Sequence, residues 1–247
     1  MYDYHTHSDF SSDADATADA LIHRAVAIGL DEIAITDHYD PEYADPQFAA
    51  DLDFARRNRV LDEAVEKYSG SIRVVRGIEM GLQPGKANAL CAAAAKDGSY
   101  DFILASVHCA DGIPIDLPAY REGREPARAR ARYYEDLLRC VSEYNDFDAL
   151  GHINVIDRYV ACAEDNDDSS EIVDEILKKL IREGKGLEIN TSAQRYGMGE
   201  RGMPTKAVFK RYVELGGEIV TTGSDAHRAQ DVGFGLAEAE RMMRDAG

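Results

Sequence analysis

Basic residues are scarce in this chain: 28 lysines and arginines stand against 46 aspartates and glutamates, a formal charge of −18 over 247 residues. Binding to a phosphodiester backbone rests on counterion release by basic side chains, so nucleic acid is not an expected partner. Cysteine is sparse too. Cys91, Cys109, Cys140 and Cys162 are widely scattered with no CxxC pair, which argues against a disulfide framework and a cysteine zinc site. The N-terminus is not signal-like, and a reducing cytoplasm is the expected compartment. No apolar run approaches the roughly 18 residues of a membrane span, and no linker, repeat or low-complexity segment divides the chain. With 45% apolar residues, one soluble domain over 1–247 is expected. The acidic run Glu164 to Asp168 reads as a solvated loop before a helix.

What is present is a regular alternation. Seven short β-type runs, Tyr2 to Tyr4, Glu32 to Thr36, Ile72 to Ile78, Phe102 to Ser106, Ala149 to Gly151, Gly186 to Ile189 and Glu218 to Thr222, are separated by amphipathic stretches. Helices are expected near 17–29, 48–68, 86–97, 127–144, 169–183, 204–215 and 232–245. This order predicts an α/β fold, a parallel sheet wrapped by helices in seven β/α units. Gly29, Gly98, Gly184 and Gly216 fall where left-handed C-caps are expected, and Pro204 sits near a helix start. The long loops 39–47, 109–126 and 191–203 all follow strands, the face that carries the active site in β/α barrels.

Six of the seven histidines lie just past those strands. His5 and His7 follow the first, Asp37 and His38 the second, Glu79 the third, His108 the fourth, His152 the fifth, and Asp225 and His227 the seventh. The seventh histidine, His23, is mid-helix. In His5-Thr6-His7 the period of two turns both imidazoles to one side of the strand, where they can chelate one cation; Asp225 and His227 can do the same from across the barrel. Asp13 can add an oxygen from the first loop. One strand-end histidine alone is more often a hydrogen-bonded core residue than a ligand. Six at the same end of different strands need a shared partner, and imidazole is the commonest transition-metal ligand. The candidate ligands exceed the three or four of a single catalytic zinc, so two or three divalent transition-metal ions are expected, with zinc, iron and manganese all suited. Glu79, a lone acid after an apolar run, is the expected carboxylate bridge rather than a surface acid.

These residues resemble the polymerase and histidinol phosphatase (PHP) superfamily. The matching motifs, "DYHTHSDFSSD", "ITDH", "GIEM", "SVH", "GHIN" and "GSDAH", span essentially the whole chain. Within the superfamily, "LGHINVIDRY" and "GLEINTSAQR" look most like stand-alone histidinol-phosphate phosphatases. The resemblance implies a distorted seven-unit (β/α) barrel forming one metallo-phosphoesterase domain with a trinuclear site. Carried over position by position, one metal takes His5, His7, Glu79 and Asp225. A second takes Glu79, His108 and His152, and a third takes Asp13, His38 and His227. Asp13 stands where some relatives have His. Arg158 and Arg195 match phosphate-binding arginines, and guanidinium forks suit phosphate oxygens. Asn190 is a candidate for orienting substrate or a ligand, while Asp37 and Glu188 are expected to fix histidines and loops from behind.

The activity implied is hydrolysis of L-histidinol phosphate to L-histidinol and inorganic phosphate in histidine biosynthesis, with a hydroxide bridging two cations as nucleophile and Glu79, Asp225 and His227 at the reacting centre. The alternative is another PHP phosphoesterase, acting on a nucleotide, oligonucleotide or phosphotyrosine. A non-catalytic, metal-stabilised binding domain is more remote, since every expected ligand is present.

Overall fold

Seven principal strands, all parallel, run in the order β1-β2-β4-β5-β8-β9-β10 in the computed structural model, which describes residues 1–45, 52–98, 100–161, 170–198 and 201–246. Cys162 and the run Glu164 to Asp168 lie outside the described residues. The strands are β1 (Tyr2–Asp3), β2 (Glu32–Ile35), β3 (His38–Tyr39), β4 (Arg73–Gly81), β5 (Phe102–Ser106), β6 (Cys109–Ala110), β7 (Ile113–Pro114), β8 (Ala149–Leu150), β9 (Gly186–Asn190) and β10 (Val220–Gly223). The helices are α1 (Ala18–Ala27), α2 (Phe54–Tyr68), α3 (Lys86–Asp97), α4 (Pro118–Arg121), α5 (Pro126–Glu143), α6 (Ser170–Arg182), α7 (Lys206–Glu214) and α8 (Leu236–Ala246).

The sheet comes close to closing on itself. Tyr4 N donates to Thr222 O at 2.8 Å, Thr222 Oγ1 donates to Tyr2 O at 2.6 Å, and Thr6 forms a parallel bridge with Ala226. These bonds join the first strand segment to the last and make the seven-unit barrel. Because helices cover the outside and side chains fill the inside, β4, β5 and β9 are buried along almost their whole length, as parallel strands are. The larger core packs Tyr133 and Leu137 of α5, Ile176, Leu177 and Leu180 of α6, and Phe209 of α7 against Leu150 and Leu187. A second core sets Leu21, Ile22 and Ala25 of α1 and Leu61 of α2 on Ile33 and Ile35. Each such side chain contributes roughly 1.5–3 kcal/mol when fully buried. Local signals agree with these faces: Thr17 caps α1 by accepting from Ala20 N at 3.2 Å, and Pro126 occupies the first turn of α5, where its missing N–H costs nothing.

Several boundaries differ from the sequence expectation. The third strand continues three residues further, so Glu79 lies within β4 rather than after it. The second strand breaks at Thr36–Asp37 and resumes as β3, which pairs with the end of β4 through His38 and Glu79. The stretch 109–126, expected as a loop, contains the β6–β7 hairpin and the short α4. Helix α2 begins at Phe54, capped by Asp53, and residues 48–51 of the expected helix lie outside the described ones. α7 starts at Lys206 behind a Thr205 cap, two residues past Pro204. Gly29, Gly184 and Gly216 have the expected positive φ, but Gly98 is extended at φ −88°. Gly98 is small for another reason: a Cβ there would meet the Tyr100 ring at 1.9 Å.

Candidate metal centre

The extended backbone after β1 sends His5 and His7 inward while Thr6, between them, points the other way and donates to Ala34 O at 2.6 Å. Both imidazoles are fully buried. At the centre stands Glu79, also fully buried. Its Oε2 lies 3.4 Å from His5 Nε2, 3.5 Å from His7 Nε2 and 2.8 Å from His38 Nδ1. Its Oε1 lies 3.4 Å from His108 Nε2 and 3.0 Å from His152 Nε2, and accepts from Ser106 Oγ at 2.6 Å. One carboxylate thus faces five imidazoles from four strand ends, His5 and His7 sharing the first.

Asp225 enters from the opposite wall. Its φ of +55° is a left-handed conformation that Asp tolerates better than most residues, and it brings Oδ1 to 3.7 Å from His5 Nε2, 3.5 Å from His7 Nε2 and 3.6 Å from His227 Nδ1. Asp13 Oδ2 is 3.2 Å from His227 Nε2 and 3.7 Å from His38 Nε2. The His7 ring stacks on those of His38 and His227, with centroids 4.2 and 4.1 Å away. All nine residues expected to hold metal therefore converge at the carboxyl ends of the strands.

The electrostatics of the cluster are those of tightly packed acids and imidazoles. Burial opposes the charge on Glu79, yet His5, His38 and His108 hold it well below the usual carboxylate range. Burial likewise pulls His108 down, but Asp40 and Glu79 outweigh it and push it up to about 10. His7, buried beside His227 and His38, is driven down to about 3. His5 Nε2, His7 Nε2, His38 Nδ1, His152 Nδ1 and Glu79 Oε2 are buried without a hydrogen-bond partner among the described residues. Buried polar atoms are ordinarily satisfied, because leaving one bare costs about 1–3 kcal/mol. Ligand atoms of His7, His38 and His227 lie within 4.8 Å of one another, as do those of His5, His7 and Asp225, of His5, Glu79 and His152, and of His38, Asp40 and His108. Imidazoles and carboxylates in such triads are the donor set that zinc, iron and manganese take.

Behind the ligand atoms lies a set of orienting bonds. Glu188 Oε1 is 2.6 Å from His5 Nδ1, and its Oε2 accepts from His152 N at 2.7 Å. Asp37 does not point at the cluster; its Oδ1 accepts from Ser8 N at 2.6 Å and Ser8 Oγ at 2.8 Å, pinning the loop after His7. Two partners escaped the sequence reading. Asp40 Oδ1 is 2.7 Å from His108 Nδ1, and Gly81 leaves room for it, since a Cβ there would fall 1.8 Å from that oxygen. The signal was available: Asp40 is two residues from His38 and shares its side of the chain. Arg57 carried no such signal, being one of three arginines in "ARRNR". It is fully buried, donating to Asp37 Oδ2 at 2.6 Å and to Ile35 O and Gly77 O at 2.8 and 2.6 Å. Removing it strands a buried carboxylate. Arg57→Met is expected to lower the unfolding free energy by about 3–5 kcal/mol; denaturant melts showing a loss under about 1 kcal/mol would mean the Asp37 charge is compensated elsewhere.

A cavity of about 230 Å³ opens above the cluster, lined among others by His38, His108, His152, Asp225, His227 and Arg158. Arg158 is held in it: its guanidinium donates to Asp225 Oδ2 at 2.8 Å and Ser192 Oγ at 2.6 Å and lies 3.9 Å over the Tyr196 ring, while its Nε is buried and unpartnered. Arg195 does not line this cavity. Its guanidinium donates to the carbonyls of Ser224 and Asp225 and pairs with Asp231 at 3.2 Å, gripping the backbone that carries Asp225. Asn190 does not line the cavity either; its Oδ1 accepts from Ser192 N and Oγ, and its Nδ2 lies 3.3 Å from Glu188 Oε2 and 3.4 Å from His5 Nδ1, behind a candidate ligand. His23 is exposed on α1.

The comparisons agree with this geometry. The PHP domain family matches residues 3–192. A "probable histidinol-phosphatase" of Thermotoga maritima is 30% identical over 246 residues, covering 99% of this chain and 91% of that protein. The histidinol-phosphatase of Lactococcus lactis is 28% identical, with 99% and 91% covered. The crystal structure of the Lactococcus lactis histidinol phosphate phosphatase, complexed with zinc, L-histidinol and phosphate, superposes with a TM-score of 0.84 at 25% identity, covering 100% of this chain and 93% of that one.

Proposed function

This chain belongs to the PHP domain family, and from that membership we propose that it is a metal-dependent phosphomonoesterase that hydrolyses L-histidinol phosphate to L-histidinol and inorganic phosphate. The observation that carries the reading is Glu79 facing five imidazoles beneath a cavity walled by a buried arginine. The full-length relatives named for this activity, and the neighbour holding zinc, L-histidinol and phosphate, support the same substrate.

Two to three divalent transition-metal ions, zinc, iron or manganese, would be held by His5, His7, Glu79 and Asp225, by Glu79, His108 and His152, and by Asp13, His38 and His227. When bound, such ions supply Lewis acidity toward phosphoryl oxygens and bring the pKa of water toward neutrality. The chain's own residues position everything else. Glu188, Asp40 and the Asp225 carbonyl take the Nδ1 side of His5, His108 and His227, so each ring presents Nε2. Arg158 offers its remaining N–H groups to the phosphoryl oxygens, and Arg195 acts through the Asp225 backbone. The acidic surface, with a net charge of −18, favours a small phosphomonoester over a polynucleotide. The free thiols Cys91, Cys109 and Cys140 suit the reducing cytoplasm in which we place this single metallo-phosphoesterase domain. Among the described residues no helix is long and apolar enough to cross a membrane.

A steady-state comparison of L-histidinol phosphate with nucleotides, sugar phosphates and phosphotyrosine tests the substrate; a higher kcat/KM for any of the others overturns it. In the same assay, Arg158→Ala should lose about tenfold to a hundredfold in kcat/KM, the worth of a charge-assisted contact, with Arg158→Lys restoring only part of it. Wild-type kcat/KM in Arg158→Ala removes this arginine from phosphate binding.

A further inference from the structure

The cavity contains one carboxylate that the metal-binding set does not use. Asp13, Asp40 and Asp225 line it with imidazoles or Arg158 against them. Asp116 lines it too, and its hydrogen-bond partner among the described residues is the hydroxyl of Tyr43, which donates to Oδ1 at 3.2 Å. No lysine, arginine or histidine among the described residues forms an ion pair with it, so this carboxyl group faces a half-enclosed site without a cationic partner.

The segment bearing it is well anchored. Ile115 is buried and its N–H donates to His108 O at 3.0 Å, and Leu117 N donates to Pro114 O, which ties the turn after β7 to the backbone of a metal-site histidine. Tyr43 reaches across from the loop after β3, and Tyr159 lines the same cavity. Burial first, and then the charge of Asp116 among others, pushes both of these hydroxyls up, keeping them neutral donors around the acid. A carboxylate among tyrosine rings is a receptor for an organic cation: the acid supplies charge and the ring faces add attraction for an ammonium group.

Resting on the phosphatase reading above, we propose that Asp116, presented by Tyr43, is a specificity residue that pairs with the protonated amine on the alcohol portion of the phosphomonoester. The phosphoryl end is met by Arg158 and the histidine cluster, all cationic or metal-binding. A substrate that also carries a cation needs an anion elsewhere in the same cavity, and Asp116 is the acid available for it. An ester without the amine leaves Asp116 facing the occupied cavity with no cation against it and the Tyr43 hydroxyl as its hydrogen-bond donor, the situation in which binding sites discriminate most strongly.

The test uses the metal-loaded enzyme and matched esters: L-histidinol phosphate against 3-(imidazol-4-yl)propyl phosphate, and phosphoethanolamine against ethyl phosphate. In the wild type the amine-bearing member of each pair should have the higher kcat/KM by about tenfold to a hundredfold, the worth of a charged hydrogen bond. Asp116→Asn should collapse that ratio toward one, mainly through KM, and should weaken competitive inhibition by L-histidinol more than inhibition by inorganic phosphate. Asp116→Glu, which keeps the charge on a longer arm, should retain part of the preference and guards against a folding defect in the amide variant. An unchanged amine preference in Asp116→Asn overturns the proposal, as does a wild type with no preference in either pair. If both pairs show the preference but L-histidinol phosphate is no better than phosphoethanolamine, the histidinol reading fails while the role of Asp116 stands.

Discussion

Glu79→Gln should reduce kcat/KM by about a hundredfold or more with metal in excess, and should lower the metal content of the purified protein. The side chain is buried among five imidazoles, with one oxygen toward His5, His7 and His38 and the other toward His108 and His152. A carboxylate placed this way can bind on both sides at once. An amide keeps the shape but loses the charge and replaces one acceptor by a donor, which cannot ligate and would face neighbouring ring nitrogens. The contrast is His23→Gln, a change on the exposed face of α1, which should leave activity and metal content as they are. Elemental analysis beside steady-state kinetics separates the two effects. Equal activity in the two variants would remove Glu79 from the mechanism.

Prolonged chelation should abolish turnover, and added zinc, manganese or iron should restore it. Chelation should also lower the melting temperature, because a ligand present at about a hundred times its Kd stabilises the folded state by about 2.7 kcal/mol. The pH dependence of the stripped protein follows from the cluster itself. His5, His38 and His108 are raised, His108 to about 10. Stability from a raised histidine is fully present below its unfolded pKa of about 6.5 and is lost as pH rises through the folded value. Glu79 and Asp225 are depressed. Their contribution is present above about pH 4 and disappears as pH falls through the lowered value. The stripped protein should therefore lose stability as pH rises from about 6.5 toward about 10. The loaded protein has the opposite tendency, since cations compete with protons for the same nitrogens and bind more tightly as pH rises. Calorimetry should show the gap in melting temperature between the two forms widening from pH 6 to pH 9. A constant or narrowing gap would mean that these histidines are not the ligands.

The convergence of the candidate ligands was legible because the chemistry of a barrel is written locally. A strand of alternating side chains shows, two residues at a time, which groups share a side, and His5-Thr6-His7 and Asp225-Ala226-His227 needed nothing more. The same reasoning applied one step further along "DHYD" would have found Asp40. Seven units, their helices and the position of each histidine at a strand's end were likewise set by periodicity and by glycine and proline punctuation, with boundary differences of a few residues at strand and helix ends.

The tertiary structure decided matters that depend on groups far apart in the chain. Asp116 meets Tyr43 from 73 residues away, and Arg57 reaches Asp37 from a helix whose neighbouring arginines look identical in sequence. Arg158 and Arg195 both follow strands and were both expected from the family resemblance to bind phosphate, yet one lines the cavity and the other turns behind it to hold the Asp225 backbone. The difference lies in the direction of each turn: Arg158 ends the short helical turn after His152, facing Asp225, whereas Arg195 follows the turn after Asn190, beside the carbonyls of Ser224 and Asp225. Sequence by itself determined which residue types stand at the mouth of the barrel, because strand pleat and hydrophobic period are properties of neighbours. Which of their atoms meet was decided only when the first strand joined the last, because strand register, loop path and the left-handed turn at Asp225 act between residues that sequence places 220 positions and more apart.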